Sequence, residues 1–255
     1  MCHLQPVDWS SGWPVMGNAG EPYWKFRKPK SDSKTIVNPV ETDEFDSSKL
    51  GMQWQWQNDY KESYGQATSM GFFRLFTYAL PELGDVSNLW YVPNMLLQKI
   101  PADVFTATTK LSFCSRNSDQ YVGLVCMSAE YSSVGLQRTE DGYELQIRHN
   151  PNAMRTHLTD EVLTVDTLKP TQKGTPRKGR PAEMHIKDVY LRMSIKDSKV
   201  NYAYSIDGKK WKKAGGEYAM GKGRWIGSKI GFFAVDPNKT GRKGFIDIDW
   251  FRISR

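Results

Sequence analysis

Residues 229–253 read K-I-G-F-F-A-V-D-P-N-K-T-G-R-K-G-F-I-D-I-D-W-F-R-I. Ile230, Phe232, Phe233 and Val235 form an apolar run, and Pro237-Asn238 with the glycines at 241 and 244 marks a turn. Ile246, Ile248 and Trp250 then alternate with Asp247 and Asp249, as on one apolar face of a second strand. Two strands alone are marginal in water, so the rest of the chain must supply a sheet that covers this face.

From Asp43 onward strand signals recur about every 8 to 12 residues, with almost no helical periodicity. Residues 51–57, G-M-Q-W-Q-W-Q, alternate Met52, Trp54 and Trp56 with glutamines, which predicts a strand with one apolar face. Candidate strands follow at 72–77, 95–99, 106–113 and 121–127. Strands at 134–138 and 143–148 flank Asp141-Gly142, a dipeptide favoured in two-residue type I′ hairpin turns, and Tyr143, Leu145 and Ile147 face inward. A further pair spans 189–195 and 200–206, with Asp207-Gly208 as a tight turn before Trp211. About eleven strands suit an all-β, two-sheet sandwich of the jelly-roll or concanavalin A-like kind better than a small barrel.

With 255 residues, 39% hydrophobic and 13% aromatic, the chain can build one large all-β domain plus an appendage. Its 35 basic and 28 acidic side chains leave a net charge of +7, which favours solubility without specifying a partner. Much of the excess lies in residues 169–187, with Lys173, Arg177, Lys178 and Arg180 but no aromatic ring for base stacking. That stretch reads as a solvated loop, and no nucleic-acid partner is expected. Cys2, Cys114 and Cys126 allow at most one disulfide, and Cys114 and Cys126 end strand-like runs as small buried hydrophobes do. No apolar run is long enough to span a membrane, so no membrane partner is expected; Met1-Cys2-His3 does not open a signal peptide.

Residues 3–17, H-L-Q-P-V-D-W-S-S-G-W-P-V-M-G, read as strand, turn and strand carrying Leu4, Val7, Trp9, Trp13 and Val15. Two strands cannot bury two tryptophans. The following stretch is polar and punctuated by Pro29 and Pro39, like a linker. The expected organisation is therefore the end of another domain at 1–24, a linker at 25–42 and the sandwich at 43–255, in a piece of a longer precursor.

Asp247 and Asp249, two apart on a strand, would project from one face roughly 6 to 7 Å apart, the spacing of a glycosidase pair. The flanking residues lack the paired glutamates of sandwich glucanases, so a structural role is the better reading. Jelly-roll domains bring their first and last strands together, and Asp43 and Asp46, beside Glu44, with Asp249 or Asp247 could hold a structural Ca²⁺ through carboxylate oxygens. Trp54, Trp56 and Trp250 are expected in the core. Trp90 and Tyr91, in the turn-rich stretch 80–93, are candidates for an exposed sugar-stacking platform. His149, His157 and His185 show no metal-ligand spacing.

Several motifs carry a family resemblance. L-G-M-Q-W-Q-W-Q at 50–57, N-M-L-L-Q-K at 94–99, F-T-A-T-T-K-L at 105–111 and Y-V-G-L-V-C at 121–126 precede V-Y-L-R-M-S-I at 189–195 and Y-A-Y-S-I-D-G-K-K-W at 202–211. With the terminal strand pair, they resemble, in order, the concanavalin A-like C-terminal domain of family 43 glycoside hydrolases, the β-xylosidase and α-arabinofuranosidase group. Residues 4–17 are similar to the end of that family's catalytic β-propeller. The resemblance implies an accessory domain that braces the propeller and narrows its pocket. It also implies a plant-type polysaccharide or oligosaccharide of xylo or arabino configuration as substrate, and a secreted or periplasmic setting. The family's catalytic carboxylates lie in the propeller and match no residue here, so no catalytic residue is assigned. The stretch G-R-W-I-G-S-K-I-G at 223–231 is similar to a family loop whose leading aromatic reaches over the pocket, a position held here by Trp225. Lys229 stands where that loop has a second aromatic. The alternatives are a free-standing carbohydrate-binding module and a non-carbohydrate interaction domain.

Overall fold

The computed structural model describes residues 4–27, 30, 39–80, 88–154, 158–223, 226–239 and 241–255. The chain divides into two units, Met1–Asn38 and Pro39–Arg255. In the first, β1 (Val7–Asp8) and β2 (Val15–Met16) pair antiparallel, Val7 opposite Met16. The Asp8 carboxylate accepts from the backbone N–H and the hydroxyl of Ser10, which shapes the connecting turn. Trp9 and Trp13 are 65% and 73% exposed.

Among the described residues, the second unit contains sixteen further strands. The first ten are β3 (Gln55–Trp56), β4 (Gly65–Ala67), β5 (Phe73–Phe76), β6 (Tyr78–Ala79), β7 (Leu96–Lys99), β8 (Phe105–Ser115), β9 (Tyr121–Met127), β10 (Tyr131–Arg138), β11 (Tyr143–Asn150) and β12 (Glu161–Leu168). There follow β13 (Gln172–Lys173), β14 (Met184–Lys196), β15 (Lys199–Ser205), β16 (Lys212–Ala219), β17 (Lys229–Asp236) and β18 (Phe245–Ser254). A 3₁₀ turn at Leu89–Tyr91 is the helical element among the described residues, and no helix is long and apolar enough to cross a membrane.

The strands form two sheets. One runs β12-β11-β10-β9-β17-β7-β3, with β6 continuing the edge of β17 beyond β7. The other runs β16-β15-β14-β8-β18-β5-β4, with β13 on β14. This is the all-β, concanavalin A-like sandwich that the strand count predicts. Alternation along β8 sends Phe105, Ala107, Leu111 and Phe113 into the core between the sheets, where they meet Val122, Leu124, Leu145 and Ile147. Strands β9 and β17 are buried on both faces, because Leu80, Leu89, Val92 and Met95 cover the outer side of the first sheet against Val125, Met127, Phe233 and Val235.

Three local expectations change in the structure. Trp250 leaves the core face: a bulge at Asp249 inserts one residue into β18, so inward alternation passes from Ile248 to Phe251. Trp250 lies instead on the outer face, with the Arg252 guanidinium 4.2 Å from its ring. Met52 is fully exposed, because Trp54 N–H bonds Gly51 O and bends residues 51–54 into a turn, so the pairing at the predicted strand is confined to β3. Asp141-Gly142 closes a four-residue loop, since β10 ends at Arg138 and β11 begins at Tyr143, with Thr139 and Gly142 bonded across it. The two-residue turn with both φ positive occurs instead at Asp197 (51°) and Ser198 (57°), between β14 and β15.

Candidate functional site

The outer edge of the first sheet carries an open pocket of about 330 Å³, lined by Gln57, Trp90, Met127, Ser128, Ile226 and Lys229, with Gly223 and Gly227. Each element that reaches it has a local cause. Asn88 caps the 3₁₀ turn by accepting from Trp90 N–H at 3.0 Å, and its own amide is anchored on Ala153 O at 3.0 Å. Leu89, fully buried, donates its N–H to the Tyr131 hydroxyl at 2.9 Å. With three residues per turn, burying Leu89 turns Trp90 toward the pocket and Tyr91 elsewhere. The Tyr91 hydroxyl donates to Met154 O at 3.2 Å and lines no part of the pocket.

Lys229, the first residue of β17, is only 7% exposed, and its ammonium donates to Gln57 Oε1 at 2.9 Å. Burial lowers its pKa. An ammonium has three donors, one of which goes to Gln57, and Lys229 lines the pocket. A partly buried indole, an amide and an ammonium are the chemistry that grips a sugar, with an apolar ring for the pyranose face and donors for its hydroxyls. Gly223 and Gly227 touch at the base of the neighbouring loop: a Cβ on Gly223 would lie 1.9 Å from the Gly227 carbonyl carbon, which excludes any larger residue. Trp225, between them in sequence, lies outside the described residues, as does His157.

Of the aspartates read as metal ligands, Asp43 and Asp249 are otherwise engaged. Asp43 Oδ1 accepts from Phe45 N–H at 2.9 Å, and its Oδ2 from the Trp54 indole at 2.8 Å and the Gln53 amide at 3.3 Å. Asp249 pairs with Lys110 Nζ at 2.9 Å, and Asp46 is exposed. The backbone does bring the first segment onto the last strand, Asp43 opposite Phe251. The three carboxylates, however, do not form one cluster of ligand atoms among the described residues. The donor set therefore does not fit a Ca²⁺ ion without breaking these contacts. Asp247 is held in a two-pronged ion pair by Arg74, at 2.6 and 2.8 Å, which stacks on Phe245.

Sequence spacing did not disclose a second cluster. Cys114, Glu183 and His185 meet on the outer face of the second sheet, with His185 Nε2 3.5 Å from Cys114 Sγ and 2.9 Å from Glu183 Oε1. Cys114 is buried, as expected, but beneath Phe245 and His185 rather than between the sheets. Burial pushes its thiol up to about 12. Cys126 points into the inter-sheet core. The one sequence cue for the cluster is Glu183 two residues before His185; their partner on β8 is set by register.

Residues 42–254 match the family described as the Beta xylosidase C-terminal Concanavalin A-like domain, and the chain belongs to that family. Among curated proteins, a beta-xylosidase of Formosa agariphila is 28% identical over 97% of this chain and 41% of its own length. A putative beta-xylosidase of Xylanibacter ruminicola is also 28% identical, over 90% of this chain and 38% of its own length. The chain thus spans about two fifths of the curated relatives it matches. A solved GH43 protein from Bacillus licheniformis shares the fold at a TM-score of 0.70 and 24% identity, covering 98% of this chain and 46% of that one.

Proposed function

We propose that this domain serves as the accessory sandwich of a family 43-type glycoside hydrolase acting on xylo- or arabino-configured oligosaccharides or polysaccharides. In this reading it braces a catalytic β-propeller and closes part of that domain's pocket. The observation that carries the reading is the pocket at one sheet edge, where Trp90, Gln57 and Lys229 adjoin Gly223, Ile226 and Gly227. The relatives' names supply the sugar configuration, and the hairpin of residues 1–24 is read as the end of the propeller.

Asp247 and Asp249 are each neutralised by a cation, an arrangement that suits strand bracing rather than proton transfer. The purified chain should release no nitrophenol from aryl xyloside or arabinofuranoside; release that Asp247→Asn abolishes would overturn the reading. Exchanged for the matching region of the Formosa beta-xylosidase, the domain should support hydrolysis, and Trp90→Ala should lower kcat/KM about tenfold through lost stacking. An unchanged kcat/KM would remove the pocket from the proposal. Strong retardation of the isolated chain by xylan in affinity electrophoresis would favour a free-standing carbohydrate-binding module instead.

A further inference from the structure

We propose that Cys114, Glu183 and His185 form a binding site for a thiophilic divalent cation of the Zn²⁺ type. The arrangement follows from the backbone. Cys114 on β8 and His185 on β14 are direct cross-strand partners, so their side chains leave the same face of the sheet side by side. Glu183, two residues before His185, falls on that face by alternation. All three donor atoms lie within 4.8 Å of one another.

The distances suit an ion placed among them. Zn²⁺ bonds of about 2.0 to 2.3 Å in a tetrahedral arrangement separate neighbouring donors by about 3.3 to 3.8 Å. The Cys114–His185 separation of 3.5 Å already lies in that range, and the 2.9 Å His185–Glu183 contact needs to open by a few tenths of an ångström. Glu183 is also oriented as a ligand should be: its Oε2 accepts from Arg116 Nε at 2.8 Å, which leaves Oε1 turned to His185. Sulfur, imidazole nitrogen and a carboxylate make a donor set that favours Zn²⁺ over Ca²⁺ or Mg²⁺, which take oxygen alone. Cys114 and His185 also line an open pocket of about 230 Å³, from which water or an exogenous group can supply a fourth ligand. The ion would staple β14 to β8 two residues before the bulge at Lys187 and Asp188, where backbone pairing lapses.

The test uses the full chain carrying Cys2→Ser and His3→Ala, so that residues near the amino terminus cannot supply the signal. Co²⁺ titrated into the chelator-treated protein should produce a thiolate-to-metal charge-transfer band that saturates at one equivalent, and Zn²⁺ should abolish it by displacement. Cys114→Ser should lose the band, His185→Ala should weaken binding at least about tenfold, and Cys126→Ser should retain it. Zn²⁺ should also raise the unfolding temperature of the parent and not of Cys114→Ser, with circular dichroism showing that each variant folds. No charge-transfer band, or equal metal binding by the parent and a folded Cys114→Ser, would overturn the proposal.

Discussion

Trp54 donates its indole N–H to Asp43 Oδ2 at 2.8 Å, and this bond fastens the first segment of the sandwich to its aromatic centre. Asp43 pairs through its backbone with Phe251, while the Trp54 ring packs against Phe45, Phe232 and Phe251 at centroid distances of 5.4 to 5.8 Å. Asp43→Ala leaves a buried indole N–H without its acceptor, so the urea unfolding midpoint should fall by the equivalent of about 1 to 3 kcal/mol. Adding Ca²⁺ to chelator-treated wild type should leave the midpoint where it is. A calcium-dependent rise abolished by Asp43→Ala would restore the carboxylate to a metal-binding role.

Gly123 and Gly135 stand opposite each other on β9 and β10, and a Cβ on Gly123 would come within 2.2 Å of Val134 O. Gly123→Ala must therefore push the two strands apart, at a cost of about 1 to 3 kcal/mol. Gly216→Ala, on β16 with nothing within 4 Å, provides the comparison and should change stability little. Equal denaturation midpoints for the two variants would show that the strands yield freely.

Lys110 lies between two bulges. Its Nζ is 2.9 Å from Asp249 on β18 and 3.1 Å from Asp188 on β14, and the hydrogen bond to Asp249 leads the rise in its pKa. Lys110→Met should destabilise the domain by ~1 kcal/mol, since these are partly exposed pairs. The loss should shrink when Asp188→Asn and Asp249→Asn are already present. A double-mutant cycle on thermal unfolding measures that coupling; strict additivity would mean that the lysine does not hold the bulges.

The polar side of Asp207 should be visible in acid. Its carboxylate accepts from the backbone N–H groups of Lys209 and Lys210, both at 2.8 Å, and these bonds lower its pKa from 3.8 to about 2. Between those values the unfolded chain binds more protons than the folded one, so the carboxylate's contribution is complete above 3.8 and is lost as pH falls through 2. The unfolding temperatures of wild type and Asp207→Ala should differ at pH 6 and converge toward pH 2. A gap constant with pH would assign the effect to the backbone geometry of the turn instead.

Deleting residues 1–38 should leave the unfolding temperature of the remaining unit within a few degrees, because Pro39–Arg255 clusters as its own compact body. A collapse of folding on deletion would make the hairpin integral to the sandwich.

Strands buried on one or both faces were legible because alternation reports burial, as in Tyr143, Leu145 and Ile147 or in Ile246 and Ile248. Edge strands were harder to read. Strand β12 keeps Val162 and Leu163 about half exposed, and β16 is mostly solvent-facing, so neither shows a two-residue period against a core. The bulge at Asp249 was illegible for another reason: one inserted residue reverses every later side chain, and only the partner strand reveals it. Trp90, Tyr91 and Trp225 were visible as site candidates, whereas the meeting of Trp90 with Gln57 and Lys229 needed the sheet to join residues far apart in sequence. The pairing of Cys114 with His185 was hidden in the same way.

The two strands from which the fold was read, β17 and β18, occupy the middle of the two sheets: β17 lies between β9 and β7, and β18 between β8 and β5. Synthesis delivers them after every other strand. Before β17 and β18 are made, β9 and β8 respectively present an unpaired edge, and a contact as distant as Arg74 with Asp247, 173 residues apart, cannot form. A chain stopped before Lys229 therefore lacks an interior strand of both sheets, and its open β9 and β8 edges are ready to pair with other chains.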